Sequence, residues 1–414
     1  MKGYQFEDTQ GTFHLKKAEN ISYLYFPIAG EAGLKSSLTP NLGGDAKIDQ
    51  NTFLLEPVSA ENLVNNRNSR NFWCNVKGIG SWSLTGNAAE ALSKKFTEMQ
   101  DDSEVTAGFM WQKTTRESKK YQLRGEILSF IPVEKNVEVM LVTITNTGRM
   151  AQTVTPTAAI PLYGRSADNI RDHRHVTSLL HRIETTDTGV LVTPTLSFDE
   201  RGHQVNHMTY YCVGWSGNGE KPVDFYPTAE DFVGEGGNFE RPYAIVKKAE
   251  GVKAGTRIEG LEAVGGLHFS EVTLEPEEEC SYLIFTGITE DIQEIRNLSK
   301  TYTTREMVLE ELEKTKAYWQ EKGNVAYHTG DSDFNQFMHW VSFQPILRRI
   351  YGCSFLPHHD YGKGGRGWRD LWQDCLALLI MNPDGVRQML LDNFAGVRVD
   401  GSNATIIGSK QGEF

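Results

Sequence analysis

The residues best suited to chemistry lie together between positions 362 and 374. The stretch reads Gly-Lys-Gly-Gly-Arg-Gly-Trp-Arg-Asp-Leu-Trp-Gln-Asp, so a glycine-rich loop with two cations, Lys363 and Arg366, runs into Trp368, Arg369 and Asp370. Glycines let a backbone approach a ligand closely, and loops set on a rigid element commonly carry binding residues. Cations, an indole and a carboxylate suit a polar ligand with a flat face, such as a sugar beside a phosphate. A surface loop in which the arginine and the aspartate only pair with each other is the alternative.

Two other interpretations of this region have little support in the spacing. His358, His359 and Asp360 precede the loop, but no further ligand stands where it would complete a metal site. A phosphate loop of a nucleotide enzyme would need Gly-Lys followed by Ser or Thr, and no clear strand precedes Gly362. We therefore expect neither a bound metal nor a nucleotide.

The composition is that of a globular protein without a bias toward nucleic acid. The 414 residues carry 42 Lys and Arg against 54 Asp and Glu, a net charge of −12 that no basic stripe offsets. Five cysteines are scattered without a Cys-x-x-Cys pair, which favours reduced thiols in a cytoplasm. The sequence has no signal region and no apolar run of about 18 residues, so we expect a cytoplasmic protein without a membrane span.

The elements that must position residues 362–374 change in kind along the chain. Up to about residue 290, segments rich in β-branched and aromatic residues alternate with turn signals such as Asn-Thr-Gly at 146–148. This pattern predicts a large antiparallel β-sandwich at residues 1–290, with one helix over residues 87–99. A helical linker at 291–327 and the first helices of a second domain at 328–414 follow. Because helices of this kind need several partners to bury their apolar faces, we expect a truncated helical domain.

Capping and breaking residues predict helix limits in the second half. Thr303 and Glu306 have the spacing of a capping box, which would start the linker helix. Pro345 should kink or end the next helix, because proline lacks the N–H that the hydrogen-bond ladder needs. That helix is predicted to begin at residue 331 or 332. Two further helices are predicted over residues 369–381 and 383–396, the second with Pro383 in its first turn.

The motif near residue 370 resembles that of one enzyme family. Trp-Arg-Asp-x-x-Gln-Asp after a glycine loop is similar to the Gly-Phe-Arg-Asp-x-x-Gln-Asp motif of the inverting glycoside phosphorylases, the cellobiose and cellodextrin phosphorylase family. Residues 333–344 resemble the first barrel helix of that family, and residues 226–234 resemble its segment ending in Asp-Phe-x-Gly. The family's order is a long β region, linker helices and an (α/α)6 barrel. The resemblance thus implies that residues 328–414 are the first helices of a truncated catalytic barrel.

The resemblance also implies a reaction. Residues 43–51 and 69–73 look closest to the branch of 1,2-β-oligoglucan and β-1,3-oligoglucan phosphorylases. In such enzymes phosphate attacks the anomeric carbon of the terminal glucose of a β-linked gluco-oligosaccharide and reversibly gives α-glucose 1-phosphate. The implied co-substrate is inorganic phosphate, with no organic cofactor and no metal, and the implied assembly is a homodimer.

A single carboxylic acid protonates the departing oxygen in this family, and phosphate replaces the water of an inverting hydrolase. That acid stands in a Gly-Asp-Trp-Asn-Asp type motif, which this sequence lacks. The general acid is therefore expected beyond Phe414, so no catalytic residue is assigned and the chain alone is expected to be inactive. The alternatives are an inverting (α/α)6 glycoside hydrolase that uses Asp370 and Asp374 as acid and base, and a non-catalytic carbohydrate-binding protein.

By match to the motif, Arg369 and Asp370 would bind hydroxyls of the glucose that becomes phosphorylated. The carboxylate accepts two hydroxyl hydrogen bonds while the guanidinium donates in a fixed fork. Trp368 would lie either against a sugar face or in the barrel wall.

The remaining candidates flank that pair. Gln373 and Asp374 follow Asp370 by three and four positions and share its helix face, so they would bind substrate or support the arginine. Lys363 and Arg366 are the phosphate-binding candidates, with a solvated charge pair as the alternative.

Overall fold

The computed structural model describes residues 3–21, 25–58, 67–170, 174–199, 202–352 and 366–407. The strands are β1 Tyr4–Phe6, β2 Phe13–Lys16, β3 Phe26–Ala29, β4 Lys35–Leu38, β5 Ala46–Asp49, β6 Thr52–Leu55, β7 Asn71–Val76, β8 Gly80–Ser83, β9 Asp102–Gly108, β10 Trp111–Ser118, β11 Leu123–Phe130, β12 Val137–Asn146, β13 Gln152–Leu162, β14 Arg182–Thr185, β15 Gly189–Val192, β16 Leu196–Asp199, β17 Gly202–Val205, β18 Thr209–Ser216, β19 Asp224–Thr228, β20 Arg257–Glu259, β21 Ala263–His268, β22 Val272–Leu274, β23 Glu279–Thr289, β24 Arg366–Gly367 and β25 Ile406–Ile407. The helices are α1 Ala89–Ser93, α2 Arg174–Ser178, α3 Ala229–Val233, α4 Tyr243–Lys247, α5 Ile292–Thr301, α6 Arg305–Lys322, α7 Ser332–Tyr351, α8 Trp368–Met381 and α9 Val386–Ala395, with short 3-10 turns at Ala18–Asn20 and Ala167–Ile170.

Two large antiparallel sheets form the first part of the chain. One has eleven strands in the order β1-β2-β9-β10-β11-β12-β23-β18-β15-β14-β20. The other has the order β19-β21-β13-β7-β8, with β22 paired to β13, and a four-stranded sheet β3-β4-β5-β6 adjoins them. Side chains of both large sheets share one hydrophobic core. The fold class predicted from the sequence, a large antiparallel β-sandwich followed by helices, is confirmed.

Strand β12 shows how the layers are stacked. Successive side chains of a strand point to opposite faces, and β12 is buried along its whole length. Met140, Val142 and Ile144 enter the core between the sheets. Val139 and Leu141 enter a second core that also contains side chains of α5 and α6. The linker helices therefore cover the outer face of the eleven-stranded sheet.

Helix α6 connects that outer layer to the later helices. Its Val308 and Leu312 pack on the eleven-stranded sheet. About two turns further along α6, Trp319 packs in a third core with Phe109 of the sandwich and Phe343 of α7. No helix within the described residues is long and apolar enough to cross a membrane.

Of the two outcomes predicted for Pro345, a kink or the end of its helix, the second is wrong. Asp331 caps α7 by accepting a hydrogen bond from Phe334 N at 3.1 Å, and the helix then continues through Pro345 to Tyr351. Pro345 removes one ladder donor, but Ile346 beside it is fully buried in the core with α8. Tertiary packing therefore outweighs the local preference of proline.

Two other local predictions also need correction. The helix expected over residues 87–99 ends at Ser93, and Phe96 adopts a φ of 65°, which interrupts a right-handed helix. The linker helix α6 is capped by Thr304 rather than Thr303, and the Thr304 side chain makes no capping hydrogen bond. Glu306 lies in its first turn, where a negative charge favours the positive end of the helix dipole.

Trp340 joins the sandwich to α7. Its ring makes edge-to-face contacts with Phe13, Phe26 and Phe109, with ring centroids 5.9, 5.8 and 4.6 Å away. Its Nε1 donates a 2.7 Å hydrogen bond to the carbonyl of Gly11. Aromatic clusters of this geometry add to the energy of area burial, so α7 is held firmly on the β-domain.

Candidate functional site

The motif residues lie at the N-terminal end of α8. Strand β24 pairs with β25, and Trp368 N donates to Thr405 O at 3.0 Å, so the entrance of the helix is tied to residues 405–407. Lys363 and the segment 358–360 lie outside the described residues, and so does the side chain of Arg366. The predicted phosphate site at Lys363 and Arg366 therefore stays a prediction.

Arg369 and Asp370 stand together in the first turn of α8. Arg369 Nη2 and Nε donate to Asp370 Oδ1 at 3.0 and 3.3 Å, and the two side chains are 83% and 46% exposed. A Cβ on Gly367 would come within 2.7 Å of Asp370 Oδ2, so the glycine makes room for the carboxylate. Because an exposed pair of this kind is worth little, the polar groups of a ligand can replace it at small cost.

Trp368 lies between α8 and α9. Its Nε1 donates to Asn393 O at 3.3 Å, and its ring meets Trp372 edge to face at 5.7 Å. Trp372 in turn contacts Phe394 at 4.6 Å. These contacts pack the half-buried indole of Trp368 against α9, and its role at a sugar face or in a barrel wall stays a prediction.

Asp374 has a partner that the sequence did not predict. Arg348 of α7 donates from Nε to both carboxylate oxygens, at 2.8 and 2.7 Å, and from Nη2 to Oδ1. Asp374 is buried, whereas Gln373, one position earlier, is exposed. The hydrogen bonds from Arg348 to Asp374 raise the pKa of the guanidinium, and the charge of Asp370 adds to this rise. Asp374 therefore joins α8 to α7 and does not support Arg369.

Arg348, Asp370 and Asp374 line one crevice between the end of α7 and the start of α8. Its other lining includes Gly352, Gly367 and Leu371. The crevice brings together two of the predicted site residues, Asp370 and Asp374, with two cations that the prediction missed, Arg348 and Arg349. The available signal for Arg348 was weak: a basic residue in the last turn of a helix also suits the helix dipole.

The β-domain holds the end of α7 in place. Arg349 donates to the carboxylate of Glu31 at 2.6 and 3.0 Å, and Lys35 Nζ donates to Ile350 O at 2.8 Å. Burial acts to raise the pKa of Glu31, but the hydrogen bonds and charge of Arg349 outweigh it and lower that pKa. Tyr351 Oη donates to the carbonyls of residues 28 and 36, at 2.8 and 2.7 Å. The crevice therefore has one wall whose position depends on the sandwich.

The other segments that carried the resemblance have structural roles in the β-domain. In residues 226–234, Thr228 caps α3 by accepting from Asp231 N at 3.1 Å, and Phe232 is fully buried. In residues 43–51 and 69–73, Arg70 donates to the carbonyls of Gly44 and Asp45 at 2.7 and 3.3 Å. None of these residues lines the crevice at α8.

The described residues contain no group of three His, Cys, Asp or Glu side chains that could hold a metal ion. The crevice is lined instead by two carboxylates and two guanidinium groups. Such groups recognise hydroxyls and anions through directed hydrogen bonds.

Comparisons with known proteins identify relatives among carbohydrate-active enzymes. Residues 57–305, more than half of the chain, match the family model described as glycosyl hydrolase 94, supersandwich domain. The cyclic beta-(1,2)-glucan synthase NdvB of Rhizobium meliloti (strain 1021) is 27% identical over 203 residues, which cover 46% of this chain and 6% of the relative. The 3-O-beta-D-glucopyranosyl-beta-D-glucuronide phosphorylase of Paenibacillus borealis is 27% identical over 180 residues, which cover 42% of this chain and 22% of the relative.

Two solved structures share the fold over almost the whole chain. A bacterial glucoamylase in complex with acarbose has a TM-score of 0.54 at 10% identity, over 91% of this chain and 50% of its own. A protein described as a kojibiose phosphorylase from the human microbiome has a TM-score of 0.52 at 10% identity, over 94% of this chain and 48% of its own. The chain thus spans about half the length of these structures and less than a quarter of the two curated relatives. Because the family model covers more than half of the chain, this protein belongs to the glycosyl hydrolase 94 family.

Proposed function

We propose that this protein is a glycoside phosphorylase that catalyses reversible, inverting phosphorolysis of β-linked gluco-oligosaccharides to α-glucose 1-phosphate. The observation that carries the proposal is the exposed Arg369–Asp370 pair at the start of α8, in a chain of the glycosyl hydrolase 94 family. The two curated relatives are named for β-linked glucosides, and one of them is a phosphorylase. Inorganic phosphate is the proposed co-substrate, with no organic cofactor and no metal. A homodimer and a cytoplasmic location are part of the same proposal.

In this proposal Asp370 accepts hydrogen bonds from two hydroxyls of the glucose that becomes phosphorylated, and Arg369 donates to a third oxygen. The present pair is exposed, so the carboxylate can exchange its bond to Arg369 for hydroxyls. Lys363 and Arg366 are proposed to bind phosphate. No residue of this chain is assigned as the general acid that protonates the departing oxygen.

The contacts of Asp374 argue against the hydrolase alternative. An inverting hydrolase needs a second carboxylate that is free to activate water. Both oxygens of Asp374 accept hydrogen bonds from Arg348, and the carboxylate is buried. A phosphorylase needs no such base, since phosphate itself is the nucleophile.

The test is an incubation of the protein at its natural length with β-1,2-, β-1,3- and β-1,4-linked gluco-oligosaccharides, with and without inorganic phosphate. Release of α-glucose 1-phosphate from one linkage, only when phosphate is present, is the expected result, and NMR of the product gives its anomeric configuration. Release of free glucose without phosphate would establish a hydrolase. Binding without any product would establish a carbohydrate-binding protein.

Substitutions locate the sugar site within that test. Asp370→Asn and Arg369→Ala each remove a charge-assisted hydrogen bond, and we expect KM for the oligosaccharide to rise by roughly tenfold to a hundredfold. Arg387→Ala removes another exposed arginine, from the neighbouring helix α9, and serves as the matched control for Arg369→Ala. Unchanged KM in both test variants would place the sugar elsewhere.

A further inference from the structure

Helix α8 carries two carboxylates on one face. Asp370 and Asp374 are four positions apart, which places them one turn apart on the same side of the helix. Like charges at this spacing repel each other, and Asp374 is 5% exposed, so water can do little to screen its charge. A buried carboxylate in this position needs a cation nearby.

Arg348 of α7 supplies that cation in a directional form. Its Nε and Nη2 both donate to Asp374, which makes the contact a fork of several hydrogen bonds rather than a single charge contact. A fork of this kind restricts the rotation of both partners. Since Asp374 is one turn from Asp370, the rotation of α8 that satisfies the fork also sets the direction of the Asp370 side chain.

We propose that Arg348 is a positioning residue for the sugar subsite: it holds α8 through Asp374 and so fixes the direction of the exposed Asp370 carboxylate one turn away. This inference rests on the proposed function, because it concerns the same sugar subsite. Arg348 acts through Asp374 and is not itself required to touch substrate.

The link continues into the β-domain. Arg349, the next residue of α7, is held by Glu31 at 2.6 Å, and Tyr351 is held by two backbone carbonyls of the four-stranded sheet. Arg348 is therefore presented by a helix end that the sandwich fixes in place. A continuous series of contacts thus runs from the sandwich through the end of α7 to α8.

The experiment compares Arg348→Lys, Arg348→Met and Asp374→Asn with the natural protein. Lysine keeps the charge but loses the fork, so we expect KM for the oligosaccharide to rise about tenfold, and methionine should raise it about a hundredfold. KM for phosphate should stay within about twofold in all three variants, because the phosphate is bound by other groups in the proposed function. The double variant R348M/D374N should raise KM no further than R348M, since residues that act as one unit are not additive.

Arg116→Lys is the matched structural control. Arg116 is 4% exposed and pairs with the buried Glu19 in the β-sandwich, so its replacement also breaks an arginine–carboxylate contact. It should lower the thermal midpoint without changing either KM. If Arg348→Lys behaves in the same way, losing stability with both KM values unchanged, Arg348 has only a structural role and the inference is wrong.

A second measurement keeps this inference separate from the proposed reaction. Equilibrium titration with sophorose, laminaribiose and cellobiose measures sugar affinity without turnover. If the natural protein binds one of them but forms no glucose 1-phosphate, the proposed function fails, and the inference stands only if Arg348→Lys weakens that binding about tenfold. If Arg348→Lys and Arg348→Met bind the sugar as tightly as the natural protein, the inference fails whatever the reaction is. If none of the three disaccharides binds, both are refuted.

Discussion

The buried pair of Arg70 and Glu138 offers the sharpest test of how the three sheets are joined. The side chains are 0% and 1% exposed. Arg70 precedes β7 of one large sheet, and Glu138 lies on β12 of the other. Arg70 Nη2 donates to Glu138 at 2.9 Å, and Nε donates to the second carboxylate oxygen. Ser36 of the four-stranded sheet donates to the same carboxylate at 2.5 Å, so one ionic contact connects all three sheets.

The cost of breaking this pair follows from its burial. Arg70→Met leaves Glu138 as a buried charge without a cation, which costs about 3–5 kcal/mol in the free energy of unfolding. It also removes the donors for the carbonyls of Gly44 and Asp45, at about 1 kcal/mol each. The double variant R70M/E138Q has no unpaired buried charge, so we expect it to be about 2 kcal/mol more stable than R70M.

Urea unfolding followed by tryptophan fluorescence measures these free energies. Lys77→Met is the control, because Lys77 pairs with Glu271 at 3.6 Å while both side chains are more than half exposed, and we expect a change below about 0.5 kcal/mol. A loss of less than about 1 kcal/mol in R70M would show that Glu138 is not held as a buried charge. A double variant whose loss equals the sum of the two single losses would show that the two residues do not act as a pair.

Three further predictions concern other parts of the fold. Burial acts to raise the pKa of Glu90, but hydrogen bonds from Lys120, Lys94 and Tyr121 outweigh it and lower that pKa from 4.5 to about 2. The stabilisation is therefore present above pH 4.5 and lost as the pH falls toward 2, so the stability gap between the natural protein and Glu90→Gln, measured by urea unfolding, should close over that range. Trp340→Ala should cost about 3 kcal/mol by the same assay, and a loss below about 1 kcal/mol would mean that α7 is held mainly by other contacts. Gly44 has a φ of 114°, and a Cβ there would lie 1.8 Å from the Ser37 carbonyl oxygen, so Gly44→Ala should lower the thermal midpoint strongly; an unchanged midpoint would refute this geometry.

Several features of the candidate site could be predicted from the sequence because they depend on neighbours along the chain. The start of α7 at Asp331 followed from a capping residue before an apolar run, and the structure shows that cap. The position of Asp370 in the first turn of a helix followed from a glycine loop running into a helical pattern. The family that the motif indicated is confirmed by the match of the β-domain, which does not contain that motif.

Other features depend on residues far apart in sequence, and only the tertiary structure decided them. The alternation of apolar residues predicted that β12 is a strand, but its pairing with β23 depends on which surfaces fit together across the whole domain. Pro345 stays inside α7 because burial of the adjacent residues outweighs the lost hydrogen bond. Asp374 pairs with Arg348, 26 residues away, rather than with Arg369 on its own helix.

The sequence by itself therefore determined the kinds of element, their order, and the position of Arg369 and Asp370 at the start of a helix. These properties follow from local propensity, capping and periodicity, which act over a few residues. The tertiary structure decided which charges are paired and which are exposed. Asp370 and Asp374 belong to the same motif and lie on the same face of α8. One is open to a ligand and the other is buried, because the packing of α7 on α8 brings Arg348 against Asp374 and leaves the first turn of α8 exposed.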